Sequence, residues 1–389
     1  MPTPDGHESP DYGVLVHCHL GWDFVWQRPQ HILSRLSKLH PVLFINPPSP
    51  LEQGASDGRI EVKKVSDALT VATLHLFPHT GDPDRDAGID ARNVATAKRL
   101  LDGVVADLNW PRLVHWYYSP MYGGTRNWYD PVAVVYDCMD ELANFKGAPA
   151  DIKRKEAELM AAADVVFTGG PSMYQARKDK HDNVHQFNSG VDVEHFARAK
   201  AADTSVPDDV AGLPHPVLLY YGVIDERMGW DNLAALCDAH PTWSVVLVGP
   251  LAKITEADLL RRPNLHYTGQ RGYEALPGYL KGCDVALVPF ALSEATRYLS
   301  PTKTLEYFAA GVPVVSTPIA DIVEHYADAA RVAHSPGEFV RACEAAIDEK
   351  DQARLARGEA YARAQTWDTI VDGMHQLLDE AVEKNAGRT

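Results

Sequence analysis

Short runs of β-branched and other apolar residues alternate along most of the chain with longer stretches in which apolar positions recur every three or four residues. That alternation predicts parallel sheets built from strand–helix–strand units. In the first half strands are predicted over residues 14–17, 42–45, 70–76, 113–116, 132–136 and 165–168. In the second half they fall at 217–221, 244–248, 265–268, 285–289 and 314–316. Helices fit between most of them, at 29–39, 94–108, 151–163, 231–240, 276–282 and 301–310.

Between the halves, RAKAADTSVPDDVAGLPHP (198–216) is polar, rich in Ala, Asp and Pro, and lacks periodicity, so a linker or surface excursion is expected there. In the last segment, 367–384, Ile370, Met374, Leu377, Leu378 and Ala381 mark one face of an amphipathic helix. The fold class expected is therefore α/β, with two Rossmann-like, doubly wound parallel-sheet domains facing across a cleft. They would span 1–197 and 198–366, with the helix of 367–389 packing back on the first. In such folds ligands sit at the C-terminal ends of the strands.

A chain of 389 residues is too long for one ordinary core, which agrees with two domains. The formal charge of −16 argues against a nucleic-acid surface. It also means that any anionic ligand must meet a local cluster of cations within a repulsive overall field. The five cysteines are scattered without a CxxC pair, so neither a disulfide framework nor a thiolate zinc site is suggested. The opening MPTPDGHESPDYG has no basic or apolar leader character, and no apolar run reaches the roughly 20 residues a membrane span needs. A cytoplasmic location is expected, with peripheral contact at the inner membrane face left open.

The chemistry concentrates in SPTKTLEYFAAGVPVVS (300–316). Ser300 before Pro301 predicts a capped helix start, and Gly311 a C-terminal stop. Thr302, Lys303 and Thr304 then fall in the first turn, where free N–H groups and the helix dipole favour an anion. Lys303, Thr302 and Glu306 share one face. Phosphates would meet the first turn and Lys303, while Glu306 accepts hydrogen bonds from a vicinal diol. The competing reading is a Lys–Glu surface pair.

SPTKTLEYFAAGVPVVSTP resembles the donor motif of retaining GT-B glycosyltransferases of the family-4 type, in which a glutamate before AxGxPVV holds the ribose. Three other blocks agree and follow in the family's order: the stretch 163–196 containing NSGVDVEHF, LLYYGVIDERMGWDNLAAL (218–236), and LVHCHLGWDFVWQRPQHILSRLSKLHPVLFINPP, which is similar to a subgroup making cell-surface sugars. The resemblance implies a nucleoside-diphosphate sugar as donor substrate, no separate cofactor, and a sugar, lipid-linked or small-molecule acceptor. It departs from the pattern at one place. The family's first glutamate lies eight residues before the second, and here that position is Tyr298, with Glu294 the nearest upstream acid.

Arg227 in YYGVIDERMGW is a candidate diphosphate ligand, its alternative being an ion pair with Asp225 or Glu226. Gly222, Gly249 and Gln270 stand where the family's backbone approaches the nucleotide, and Tyr273 is a candidate to stack on the base or to pack locally. In the loop after the first strand, His19 and Asp23 are candidate acceptor bases, and Trp22, Phe24 and Trp26 a candidate aromatic wall. Arg28 suits an acidic acceptor or a neighbouring carboxylate. Asp137 and Asp140 lie just past a buried strand and either touch the sugar, act as base or cap a helix. A metal held by His17 and His19 lacks further ligands, and DPDRD (82–86) reads as a solvated acidic turn, so a metal-independent enzyme is expected. The reading is a hexosyltransferase-like glycosyltransferase in polysaccharide, glycolipid or metabolite synthesis. Its rivals are a GT-B sugar-nucleotide epimerase and a non-catalytic sugar-nucleotide-binding subunit.

Overall fold

A computed structural model describes residues 11–294, 296–300, 302–348 and 351–387. The described residues form two sheets. The first contains β1 (Gly13–His17), β2 (Val42–Ile45), β3 (Ser49–Pro50), β4 (Arg59–Lys64), β5 (Leu69–Leu76), β6 (Leu113–Tyr117), β7 (Ala133–Cys138), β8 (Val165–Thr168) and β9 (Val184–Gln186). Their order is β3-β5-β2-β1-β6-β7-β8-β9, all parallel, with β4 added antiparallel on β5. The second contains β10 (Val217–Tyr221), β11 (Ser244–Val248), β12 (Leu265–Gly269), β13 (Val285–Val288), β14 (Val314–Ser316) and β15 (Arg331–Val332), parallel throughout in the order β12-β11-β10-β13-β14-β15. This is the GT-B architecture.

The central strands GVLVH, VLLYY and SVVLV are apolar or aromatic at nearly every position and buried along their whole length. Parallel strands covered by helices on both faces need that continuous apolar character. In each sheet the chain moves outward in one direction and then crosses to the other side of its first strand. The switch points lie between β1 and β6 and between β10 and β13. The loops leaving β1 and β10 therefore open into the crevices where ligands are bound.

Helix Trp367–Ala386 crosses back over the first sheet. Trp367, Ile370, Met374 and Leu378 join one apolar cluster with Val14, Val16, Ile32 and Phe44, while Leu377 is only partly covered. Asn385 donates to the Val132 carbonyl and to Asp164.

Three expectations change. Residues 198–216 are fastened to the second sheet's helices: Ala199 and Val210 are buried, Lys281 donates to the carbonyls of Ala201 and Ala202, and Asp209 binds Arg271 and Tyr279. DPDRD is no free turn, since helix Pro83–Leu108 begins inside it and Asp86 accepts the N–H groups of Thr80 and Gly81. The helix expected from Pro301 begins at Lys303, with Thr302 at the N-cap making no side-chain cap bond; Pro301 lies outside the described residues. Ser300 does not cap it. Its side chain sits against Gly170 beside Asp321, which accepts from Ser172 at 2.7 Å.

Candidate active site

The two switch-point loops face each other across a cleft. One cavity of about 360 Å³ is lined by His19, Arg28, Asp140, Arg227, Lys253 and Lys303 among others, and one of about 280 Å³ by Trp26, Tyr221, Gly249, Gln270 and Tyr273. Phe24, Gln27, Gly222, Val223, Thr302 and Lys303 line both, so the two form one continuous channel.

Glycine is required where β10 and β11 end. Gly222 has φ +144° and Gly249 φ +154°, and a Cβ on Gly249 would lie 1.8 Å from the Gly222 carbonyl oxygen. Side-chain-bearing residues rarely adopt that backbone, and here the space is also closed. The chain thereby turns sharply and leaves the channel floor free of side chains.

Besides Arg28, which is bound to Asp137, three cations converge on the channel. Arg227 is held by Asp225, through Nε at 3.0 Å and Nη2 at 2.7 Å, so the ion pair expected as its alternative does form. The same guanidinium nevertheless lines the cavity, 5.3 Å from the Phe145 ring centroid. Lys253, which the sequence reading did not single out, places Nζ 3.7 Å over the same ring and pairs with Glu226 at 3.5 Å. Its backbone is left-handed, φ +60°, an unusual conformation for lysine that aims the side chain into the cleft. Phe145 belongs to the first sheet's side, so it brings the two cations against the facing wall.

Lys303 is the third cation. It lies in the first turn of helix Lys303–Ala310, where free N–H groups add to its charge. Its Nζ is 3.1 Å from Glu306, whose carboxylate also accepts the Tyr221 hydroxyl at 2.6 Å. Glu306 is 2% exposed and lies beneath the channel wall rather than in it. Thr304 is likewise buried and does not line the cleft, whereas Ser300 and Thr302 do.

On the other wall the candidate bases separate. Asp137 is wholly buried, and Arg28 grips it through Nε at 3.1 Å and Nη2 at 2.9 Å while donating Nη1 to the Phe187 carbonyl. Burial pushes the Asp137 carboxyl up and the Arg28 charge opposes it. Asp137 is thus a structural partner of Arg28 and does not reach the cavity, which corrects the expectation that it serves as base. Asp23 is exposed and held by Lys63 at 2.9 Å, and it lines the second cavity but not the one that Arg227 and Lys253 line. His19 and Asp140 remain. Their Nε2 and Oδ2 are 3.8 Å apart, and both residues face the cavity. Desolvation works against the Asp140 charge, but His19, with Arg227 and Lys253 beyond it, holds the carboxyl below its ordinary value.

Gln270 donates to the Phe24 carbonyl across the cleft. Tyr273 lines the cavity, yet one ring face is covered by His195 at 4.1 Å and 8°, so local packing claims much of it. All three residues of the proposed aromatic wall line the channel, Phe24 and Trp26 openly and Trp22 as a buried ring packed on Phe44. Tyr298 lines the cavity at the position of the family's first glutamate, and Glu294 points away to Arg297 at 3.6 Å. His17 stacks on Tyr117 and approaches Thr125 rather than joining His19 as a metal ligand. Among the described residues the group that could hold a metal ion is His40, His375 and Asp379, and none of these lines the cleft.

Residues 215–349 match the family model described as Glycosyl transferases group 1. Over 293 residues the chain is 26% identical to TuaH of Bacillus subtilis (strain 168), provisionally named a teichuronic acid biosynthesis glycosyltransferase, covering 70% of this chain and 73% of that one. A UDP-forming α,α-trehalose-phosphate synthase from Burkholderia xenovorans superposes with TM-score 0.70 at 14% identity, over 96% of this chain and 99% of that one. Sucrose-phosphate synthase from Thermosynechococcus elongatus gives 0.67 at 16%, over 95% and 98%. An E. coli structure described as trehalose-6-phosphate bound with UDP-2-fluoro glucose gives 0.68 at 13%, over 95% and 99%. Fold and matched domain define a glycosyltransferase. The matched residues carry the whole second sheet, β10 to β15.

Proposed function

We propose that this protein is a cytoplasmic, family-4-type hexosyltransferase that holds a UDP-sugar in the channel and passes its glycosyl group to an acceptor hydroxyl. Residues 198–366 would form the donor domain, and residues 1–197 the acceptor domain. The observation that carries the reading is the convergence of Arg227, Lys253 and Lys303 at a helix start, in a protein of charge −16. A diphosphate is the ligand that such a site neutralises, and the adjoining cavity has room for a nucleoside along Gly222, Gly249, Gln270 and Tyr273.

The three cations and the helix terminus stabilise the charge that grows on the departing diphosphate, without a metal ion. Glu306, behind the channel wall, anchors Lys303 and the Tyr221 hydroxyl at the ribose end of the site. His19 and Asp140 sit where the transferred sugar meets the acceptor. If configuration inverts, this pair takes the acceptor proton; if it is retained, the leaving phosphate does. Tyr298 supports a second reading, a binding subunit without catalysis, because it removes a carboxylate that the resembling family places on the sugar.

The test is a thermal-shift screen of UDP and UDP-sugars on the whole chain, with and without EDTA. A ligand at about 100 times its dissociation constant adds roughly 2.7 kcal/mol. A shift that survives EDTA and disappears in Lys303→Ala and Lys253→Ala is expected. No shift with any nucleotide would refute the reading, and UDP release only on addition of acceptor separates the enzyme from the silent subunit and the epimerase.

A further inference from the structure

A third cavity, about 670 Å³, lies under the first sheet's outer strands and helix Pro83–Leu108. It meets the donor channel at one residue: His19 lines both. Its walls are Leu74, Leu76, Phe77, Ala97, Leu101 and Trp128, and its size falls within the range of small-molecule sites. At its mouth Val94 and Met121 are exposed, at 58% and 39%.

Four of the polar groups of this cavity, Asn46, Asn93, the His79–Asp90 pair and Thr125, are already engaged with the protein itself. Asn46 accepts from the Trp22 N–H and donates to Thr73. Asn93 is bonded at both ends to the Phe77 backbone. His79 pairs with Asp90 at 2.7 Å, and Thr125 lies between His17 and the Tyr122 carbonyl. A sugar placed here would lose its hydrogen bonds to water and find fewer in return. Among the described residues no lysine or arginine lines the cavity, so a phosphorylated sugar would find no counter-charge.

We infer that this cavity takes an apolar aglycone of the acceptor, whose hydroxyl emerges at His19 toward the donor channel. The acceptor is then an amphiphile and not a free or phosphorylated sugar. The acceptor role rests on the glycosyltransferase reading, while the apolar site itself does not. Both an alkyl chain and an aromatic group have the required chemistry.

The experiment is calorimetric titration of the full-length chain with octyl, phenyl and methyl β-D-glucoside and with glucose 6-phosphate, each below any micellar concentration. Octyl or phenyl glucoside should bind about tenfold or more tightly than methyl glucoside, since each buried methylene favours binding by about 0.8 kcal/mol. Which of the two binds tighter identifies the kind of aglycone. Val94→Glu and Met121→Glu, each altering an exposed rim position, should erase the preference. Equal binding of all three glucosides, tighter binding of glucose 6-phosphate, or a preference that survives both charges would overturn the inference. UDP thermal shifts on the same samples keep the two readings apart. A UDP shift without aglycone preference removes only the apolar site, and a preference without a UDP shift removes only the donor assignment.

Discussion

The Glu306 carboxylate accepts the Tyr221 hydroxyl at 2.6 Å and has Lys303 3.1 Å away, with almost no exposure to water. A buried carboxylate stripped of its cation is costly, on the order of 3–5 kcal/mol for a fully buried pair. Lys303 is partly exposed, so the cost here is smaller. Lys303→Ala should therefore do two things: lower the melting temperature by a few degrees and remove the UDP shift. Adding Glu306→Gln removes the orphaned charge. The double variant should regain most of the melting temperature and none of the UDP binding. Recovery of both would mean that Lys303 serves the fold alone.

Asp137 and Arg28 make a different case. Both are out of water, and the link joins β7 to the start of helix Arg28–Leu36 and, through Phe187, to the segment after β9. Asp137→Ala should cost about 3–5 kcal/mol, because it leaves a guanidinium buried without its charge partner. Donor binding by the folded fraction should be unchanged. Chemical denaturation gives the first quantity and UDP titration the second. A stable Asp137→Ala variant defective only in turnover would reinstate Asp137 as the base.

How far the sequence foretold this differs between scaffold and site. Strands 42–45, 165–168, 217–221, 244–248 and 314–316 appear with the bounds their apolar runs predict, since a strand buried on both faces carries no charged residue to blur its ends. β4, RIEVKK, is an edge hairpin partner whose apolar face is only Ile60 and Val62, too short an alternation to mark a strand. Helix Gln352–Ala364 is equally hidden: its buried positions are Gly358 and Ala362, and Gly358 matters because a Cβ there would lie 2.7 Å from Phe308. Within the site, Lys303 was legible from its place in the first turn of a helix and Arg227 from the loop after a strand. Lys253 was not, because only its left-handed backbone and Phe145, 108 residues earlier, put it in the cleft. Nor could spacing separate Asp137 from Asp140; the choice depends on Arg28, which lies far away in the chain.

The glycines permit a paired test. Gly249→Ala must place a methyl group 1.8 Å from the Gly222 oxygen at φ +154°, so β10 and β11 can no longer end side by side. Loss of soluble protein, or a melting temperature many degrees lower, is expected. Gly103 lies inside helix Pro83–Leu108, and a Cβ added there would have nothing within 4 Å. Gly103→Ala should therefore stabilise by about 0.5–1 kcal/mol. Equal effects from the two substitutions would show that the close approach at Gly222 is not a constraint.

Acid should weaken the first sheet before it protonates the carboxylates. His115 is fully buried on β6, its Nδ1 2.6 Å from the Tyr117 hydroxyl, and burial lowers its pKa to about 4. Its ring lies 5.6 Å from that of His17, which burial and the neighbouring imidazole also hold well below the ordinary value. An unfolded histidine titrates near 6.5, so between pH 6.5 and about 4 the unfolded chain binds the additional protons and stability falls with pH. Each such histidine contributes up to about 1.4 kcal/mol per pH unit inside that window and nothing above it. Urea denaturation at half-unit steps from pH 7.5 to 4 should show a flat plateau that breaks downward near 6.5. His115→Phe, by removing one of the groups, should make the descent shallower while His17 keeps it from vanishing. A wild-type stability that stayed level down to pH 4.5 would mean that these imidazoles are protonated in the folded chain, and that water reaches the β1–β6 seam.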